Sequence, residues 1–219
     1  MGQQDKLLSE QYLGWIRNQL PYAVMCADAT RDRDVMALAY KKGFGRINLG
    51  NGNDVYAQEY YKDYIAEYND DQFITNRTLD GFLLLIGSYR EAFEIFSYQK
   101  VIDKIFKKDL KTLFKDFSTK LAWRDRAKYW QDLDIKYPHD MQKYKLCQRL
   151  RNAVAHGNND EITDAGEAIY KHFKIYGRFN VGAPEPRIDT NTFHFVTHFW
   201  IECIEYLRDE IKNVHEIDV

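Results

Sequence analysis

The chain has 219 residues, 45% of them hydrophobic and 29% charged, enough for one large domain with a substantial buried core. A net charge of −2 excludes a bulk nucleic-acid coat protein, so any RNA contact has to be local. Four prolines and twelve glycines argue against a loop-rich or all-β chain. Cys26, Cys147 and Cys203 are odd in number and far apart, which favours reduced thiols in the cytoplasm over a disulfide framework. The first residues lack the apolar stretch of a signal peptide, and the longest apolar run, Phe82–Ile86, is too short to span a bilayer. A cytoplasmic protein without membrane contact is expected.

Apolar spacing predicts helix over most of the length, hence an all-α fold. Residues 7–19 form a first helix that Pro21 ends, because the residue before a proline avoids helical geometry. Gly43, Gly45, Gly50 and Gly52 make residues 43–54 a loop, and residues 54–68 follow as a polar, Tyr-rich helix. Between Thr78 and Tyr98, the stripe of Leu79, Phe82, Leu83, Ile86, Phe93 and Phe96 predicts a central buried helix. From Val101 to Phe117, Ile102, Ile105, Phe106, Leu113 and Phe117 face one way, while Lys100, Lys104, Lys107, Lys111 and Lys115 recur on another face. Tyr137-Pro138 breaks the chain. Residues 140–156 resume as helix, with Gly157 as its C-cap. The alternation of Ile169, Phe173, Ile175, Phe179 and Val181 predicts a short hairpin over 168–181, turning at Tyr176-Gly177. Pro184 and Pro186 mark a loop. A last helix over 192–214 points Val196, Phe199, Trp200, Cys203 and Leu207 inwards. The organisation expected is an N-terminal helical extension, residues 1–74, before a helical bundle domain, residues 75–219, with the first segment as part of the core as the alternative.

The segment Arg149-Leu-Arg-Asn-Ala-Val-Ala-His-Gly157 carries the chemistry. Arg149, Asn152 and His156 share one helical stripe, whereas Arg151 lies about 140° from His156 on an ideal wheel. A histidine can move a proton to or from a ribose 2′-OH or a leaving oxygen near neutral pH. A guanidinium can hold a phosphate by two hydrogen bonds and stabilise the charge growing on it. Asn can orient either partner. With the 2′-OH as nucleophile, neither a metal nor another cofactor is required. The plain structural alternative is a cationic last turn that complements the helix dipole.

Arg151-Asn152-Ala-Val-Ala-His156-Gly157, closing a helix late in an all-helical chain, resembles the Arg-x4-6-His signature of the HEPN superfamily. The resemblance covers about residues 75–215. It implies a bundle of four or five helices that dimerises so that two motifs face each other. Many members are metal-independent endoribonucleases of toxin–antitoxin and anti-phage systems, so RNA, a second copy of the chain and an antitoxin or defence-system protein become expected partners. Other members are non-catalytic dimerisation or binding modules, which is the rival reading. Carried over by motif, Arg151 binds the scissile phosphate, His156 transfers protons and Asn152 assists. Arg149 also fits the permitted spacing, and the Asn following Arg151 decides between them. Members often support the site with a polar or acidic residue on an earlier helix, for which Arg90, Glu91 and Glu94 are candidates. Asn158 stands where HEPN toxins paired with a minimal nucleotidyltransferase carry a tyrosine.

Charge is uneven along the chain. Residues 100–128 hold ten Lys/Arg against four Asp, whereas residues 49–80 hold seven acids against Lys62 and Arg77. Lys100, Lys104, Lys107, Lys111 and Lys115 are therefore candidate RNA contacts, with an ordinary solvated face or a contact to the acidic segment of another subunit as alternatives. His194, His198 and Glu202 lie at i, i+4 and i+8, but Phe195 stands where His-Glu-x-x-His places its general base, so no metal site is expected. Gly43-x-Gly45 lacks the third glycine of a dinucleotide fingerprint, and there is no Gly-Lys-Ser/Thr.

Overall fold

Six segments with apolar positions every three or four residues are helices in the computed structural model, which describes residues 7–31, 46–48, 54–56, 71–106, 123–175, 179 and 188–219. Helix α1 spans Leu8–Arg31, α2 Asp71–Phe106, α3 Trp123–Gln131, α4 Met141–His156, α5 Asn159–His172 and α6 Thr190–His215. The fold is all-α apart from one small ribbon, in which β1 (Arg46–Asn48) pairs antiparallel with β2 (Asp54–Tyr56). None of the described helices is long and apolar enough to cross a membrane.

The core is built around α2 and α6. Leu79, Leu83, Ile86 and Phe93 of α2 are fully buried, as are Val196, Cys203 and Leu207 of α6, with Phe199 and Trp200 nearly so. Helix α1 packs on both, burying Leu13, Ile16 and Ala23, and Arg17 reaches Glu205 of α6 at 2.6 Å. Helices α4 and α5 pack chiefly on each other, α4 also against α2. Residues 216–219 close the structure. Ile217 and Val219 are buried, the Ser9 hydroxyl donates to the Val219 carbonyl, and Lys104 Nζ donates to the Glu216 carbonyl at 3.1 Å.

Several expectations change here. Helix α1 continues past Pro21, so the proline does not end it. A mid-helix proline leaves the carbonyl four residues earlier without its donor. That carbonyl belongs to Arg17, and both residues are exposed, so the carbonyl is open to solvent rather than buried without a donor. The central helix and the first part of the lysine-bearing segment are one helix, α2, which begins at Asp71 and so runs across the 74/75 boundary. Asp54–Tyr56 is strand rather than the start of a helix, and residues 57–70 lie outside the described residues. The hairpin expected over 168–181 is not formed at its start, because Ala168–His172 is the last part of α5. Ile162, Ala165 and Ile169 are all buried at helical spacing, and that period prevails over the apparent alternation. Tyr176, Gly177 and Val181 lie outside the described residues, while Phe179 packs directly on Gly166 of α5, whose missing Cβ would fall 2.6 Å from the ring. Helix α3 was not anticipated.

Candidate functional site

The motif helix α4 is terminated at both ends by local chemistry. Asp140 caps its start, its carboxylate accepting the backbone N–H groups of Gln142 and Lys143 at 3.1 and 3.0 Å. Gly157 ends it in the left-handed conformation (φ +63°), with its N–H to the Val154 carbonyl and the Asn158 N–H to that of Ala153. Asn158 at once caps α5 by accepting the Glu161 N–H at 3.2 Å. A two-residue corner therefore joins α4 to α5, with His156 exposed on it.

Arg151 points from α4 towards α2. Its stem lies over Gly87, where a Cβ would come within 3.4 Å of Arg151 Cγ and 3.1 Å of the Trp200 ring. Its guanidinium meets Glu91 at 3.5 Å and donates to the Asn152 side-chain oxygen at 3.2 Å. Glu91 also accepts from Gln148 Nε2 at 3.1 Å and lies 3.5 Å from Arg90 and 3.9 Å from Arg126. One layer deeper, the fully buried Arg90 and Glu94 pair directly, and Tyr137 and Tyr144 donate their hydroxyls to Glu94. Gln148 accepts from Arg90 at 2.8 Å. Burial opposes the charge on Arg90, yet Glu94 and its neighbours hold its pKa well above the ordinary arginine value. Burial and Glu94 push the Tyr137 phenol up. Tyr144 is raised as well, burial outweighing the opposing pull of Arg90.

The sum of this network matters. Among the described residues, three guanidinium groups, from Arg90, Arg126 and Arg151, share the two carboxylates of Glu91 and Glu94, formally one positive charge in surplus. Arg151 is the outermost, its side chain 23% exposed against 1% for Arg90 and 12% for Arg126. Such an arrangement suits an incoming anion. No family model matches the chain, nor does any curated protein or solved structure.

The sequence-predicted residues fall in different places. Arg151, Asn152 and Glu91 meet, and Glu94 supports them from beneath through Arg90 and Arg126. Arg149 faces the other way, towards Glu161 (3.3 Å) and Asp164 (3.5 Å) of α5. His156 is not brought to Arg151 within one chain. Five residues of helix separate them by about 7.5 Å of rise and 140° of rotation. Lys100 and Lys104 lie away from this site. They sit nine and thirteen residues beyond Glu91, about 14 and 20 Å along α2 and on its opposite side. Within one chain Lys100 and Lys104 therefore do not line the surface beside Arg151, while Lys107, Lys111 and Lys115 lie outside the described residues. His194, His198 and Glu202 line one cavity, but among the described residues no group of three His, Cys, Asp or Glu is arranged to hold a metal ion. Tyr137, Tyr144, Gln148 and Arg126 were missed. The only sequence signal for two of them is Tyr144 and Gln148 at i, i+4, polar residues on the α4 face that also buries Cys147 and Leu150.

Proposed function

We propose that the protein is a HEPN-type endoribonuclease that works as a homodimer in the cytoplasm, within a toxin–antitoxin or anti-phage setting. One observation carries the reading. Among the described residues, three guanidiniums share two carboxylates, and the most exposed of the three is Arg151, whose stem lies over Gly87 and whose head meets Glu91 and Asn152. A guanidinium fixed in this way loses little entropy on taking a phosphate oxygen, which is what stabilising a pentacoordinate phosphorane requires.

The chemistry follows from the substrate's own hydroxyl. The ribose 2′-OH gives its proton to a base as its oxygen bonds to phosphorus. The P–O5′ bond breaks, O5′ takes a proton, and a 2′,3′-cyclic phosphate is left. Arg151 balances the charge on the non-bridging oxygens, Asn152 keeps Arg151 oriented, and His156 moves the protons. Because His156 lies at an exposed corner away from Arg151 of its own chain, the complete set is assembled from two copies. In the non-catalytic alternative, the engagement of Arg151 by Glu91 and Asn152 is the end in itself, and the motif serves a subunit interface.

The test is cleavage of labelled total RNA in EDTA by wild type, His156→Ala and Arg151→Ala. His156 is exposed, so its replacement leaves folding intact. Cutting by wild type that both variants lose by at least about a hundredfold supports the nuclease. Unchanged cutting by His156→Ala overturns the assignment, and folded dimers that cut nothing favour the interaction module.

A further inference from the structure

At the far end of the α4–α5 hairpin, about 20 Å along α4 from the His156 corner, the start of α4, the end of α5 and the first half of α6 enclose a cavity of about 570 Å³. That volume is in the range that holds a drug-sized ligand. Its lining combines two kinds of group. Phe173 and Phe195 form an aromatic wall, with Phe199 buried behind it, and Phe173 meets the other two edge-to-face at 6.1 and 6.0 Å. Lys143, Lys174, His172, His194 and His198 contribute basic nitrogens, and Glu202 is the one carboxylate among the lining residues.

The basic groups are not spent on one another's neighbours. Lys143 has Asp140 at 3.7 Å, a loose pairing, and its ammonium sits 5.2 Å from the centre of the Phe173 ring. The rings of His194 and His198 lie 4.2 Å apart, so two imidazoles that repel when protonated face the same space. Burial, and then His198, hold the His194 pKa below its ordinary value, an opposition that an anion beside the two rings relieves. Among the described residues, two carboxylates, Asp140 and Glu202, lie near these groups. Asp140 is occupied with the backbone of α4, and Glu202 is free to accept from a sugar hydroxyl or a base N–H.

We infer that this cavity binds a nucleotide unit, its base against Phe173 and Phe195 and its phosphate among Lys143, His194 and His198. An aromatic wall alone would take any flat apolar molecule, and a basic cluster alone would take any anion. Their union within one cavity selects a ring that carries a phosphate. The unit has two sources, a free mononucleotide or one residue of an RNA strand.

Calorimetric titration of the full chain with adenosine monophosphate, inorganic phosphate, adenosine and a short oligoadenylate tests the inference. The expected result is that a phosphorylated nucleoside, free or within the strand, binds at least about tenfold more tightly than phosphate or adenosine. His198→Ala and Phe195→Leu, both at exposed positions, are expected to weaken it by a similar factor without changing thermal unfolding. His156→Ala is expected to leave it unchanged. Binding of the monophosphate identifies a small ligand, and binding of the oligonucleotide alone identifies a strand. Phosphate binding as well as the monophosphate, no binding by either form, or full binding by folded His198→Ala overturns the inference.

Discussion

Gly87 is small for a reason that only the packed structure reveals. A Cβ there would crowd the Trp200 ring at 3.1 Å and the Arg151 stem at 3.4 Å, so the glycine sets how closely α2 and α4 approach. Gly87→Val is therefore expected to displace Arg151 and lower RNA cleavage while costing about 1–3 kcal/mol of stability, checked by urea unfolding beside the cleavage assay. The layer beneath is more sensitive. Glu94 is fully buried and answers Arg90, so Glu94→Gln leaves the buried guanidinium only the more distant Glu91, which Arg126 and Arg151 also approach. A loss of about 3–5 kcal/mol in the same unfolding measurement is expected. Little of this was legible beforehand. Glu91 and Glu94 could be nominated as supports, but Tyr137, Gln148 and Arg126 lie more than thirty residues away in the chain, and no local pattern pairs them. Arg149 and Arg151 fall on different sides of α4, Arg149 against Glu161 and Asp164 of α5 and Arg151 against Glu91 of α2.

At the scale of the element, α4 was the most legible because its signals are local. Asp140 and Gly157 announce its ends by residue type, and the structure uses both as caps. Burial raises the Asp140 carboxyl, but the Lys143 and Gln142 N–H groups together with the charges of Lys143 and His172 outweigh it and hold the group below its ordinary range. Its contribution to stability is thus present above the unfolded-state value and lost as pH falls through the lower folded value. Asp140→Asn keeps a capping oxygen without the titration and is expected to flatten the acid limb of a stability-against-pH profile. Asp140→Ala is expected to cost about 1 kcal/mol at neutral pH. Elements failed to be legible where a local signal was overruled. Pro21 speaks for a helix end, yet burial of Tyr12, Ile16, Ala23 and Ala27 along one face holds α1 together through it. Replacing Pro21 by Ala at this exposed position restores a donor to the Arg17 carbonyl and is expected to raise the urea midpoint.

Over the whole molecule, the all-α class followed from the helical period alone, whereas the split into an extension and a domain has no such periodic signal. Helix α1 shares the core of α2 and α6, and its start is held by residues 216–219 through Ser9 and Val219, two hundred and ten positions apart. A contact of that span closes late, because the loop entropy has to be overcome before the contact returns anything. During synthesis α1 is made long before residues 216–219, so Ser9 waits for its Val219 partner while the chain between them folds. Residues 216–219 thus act as a latch on the start of α1.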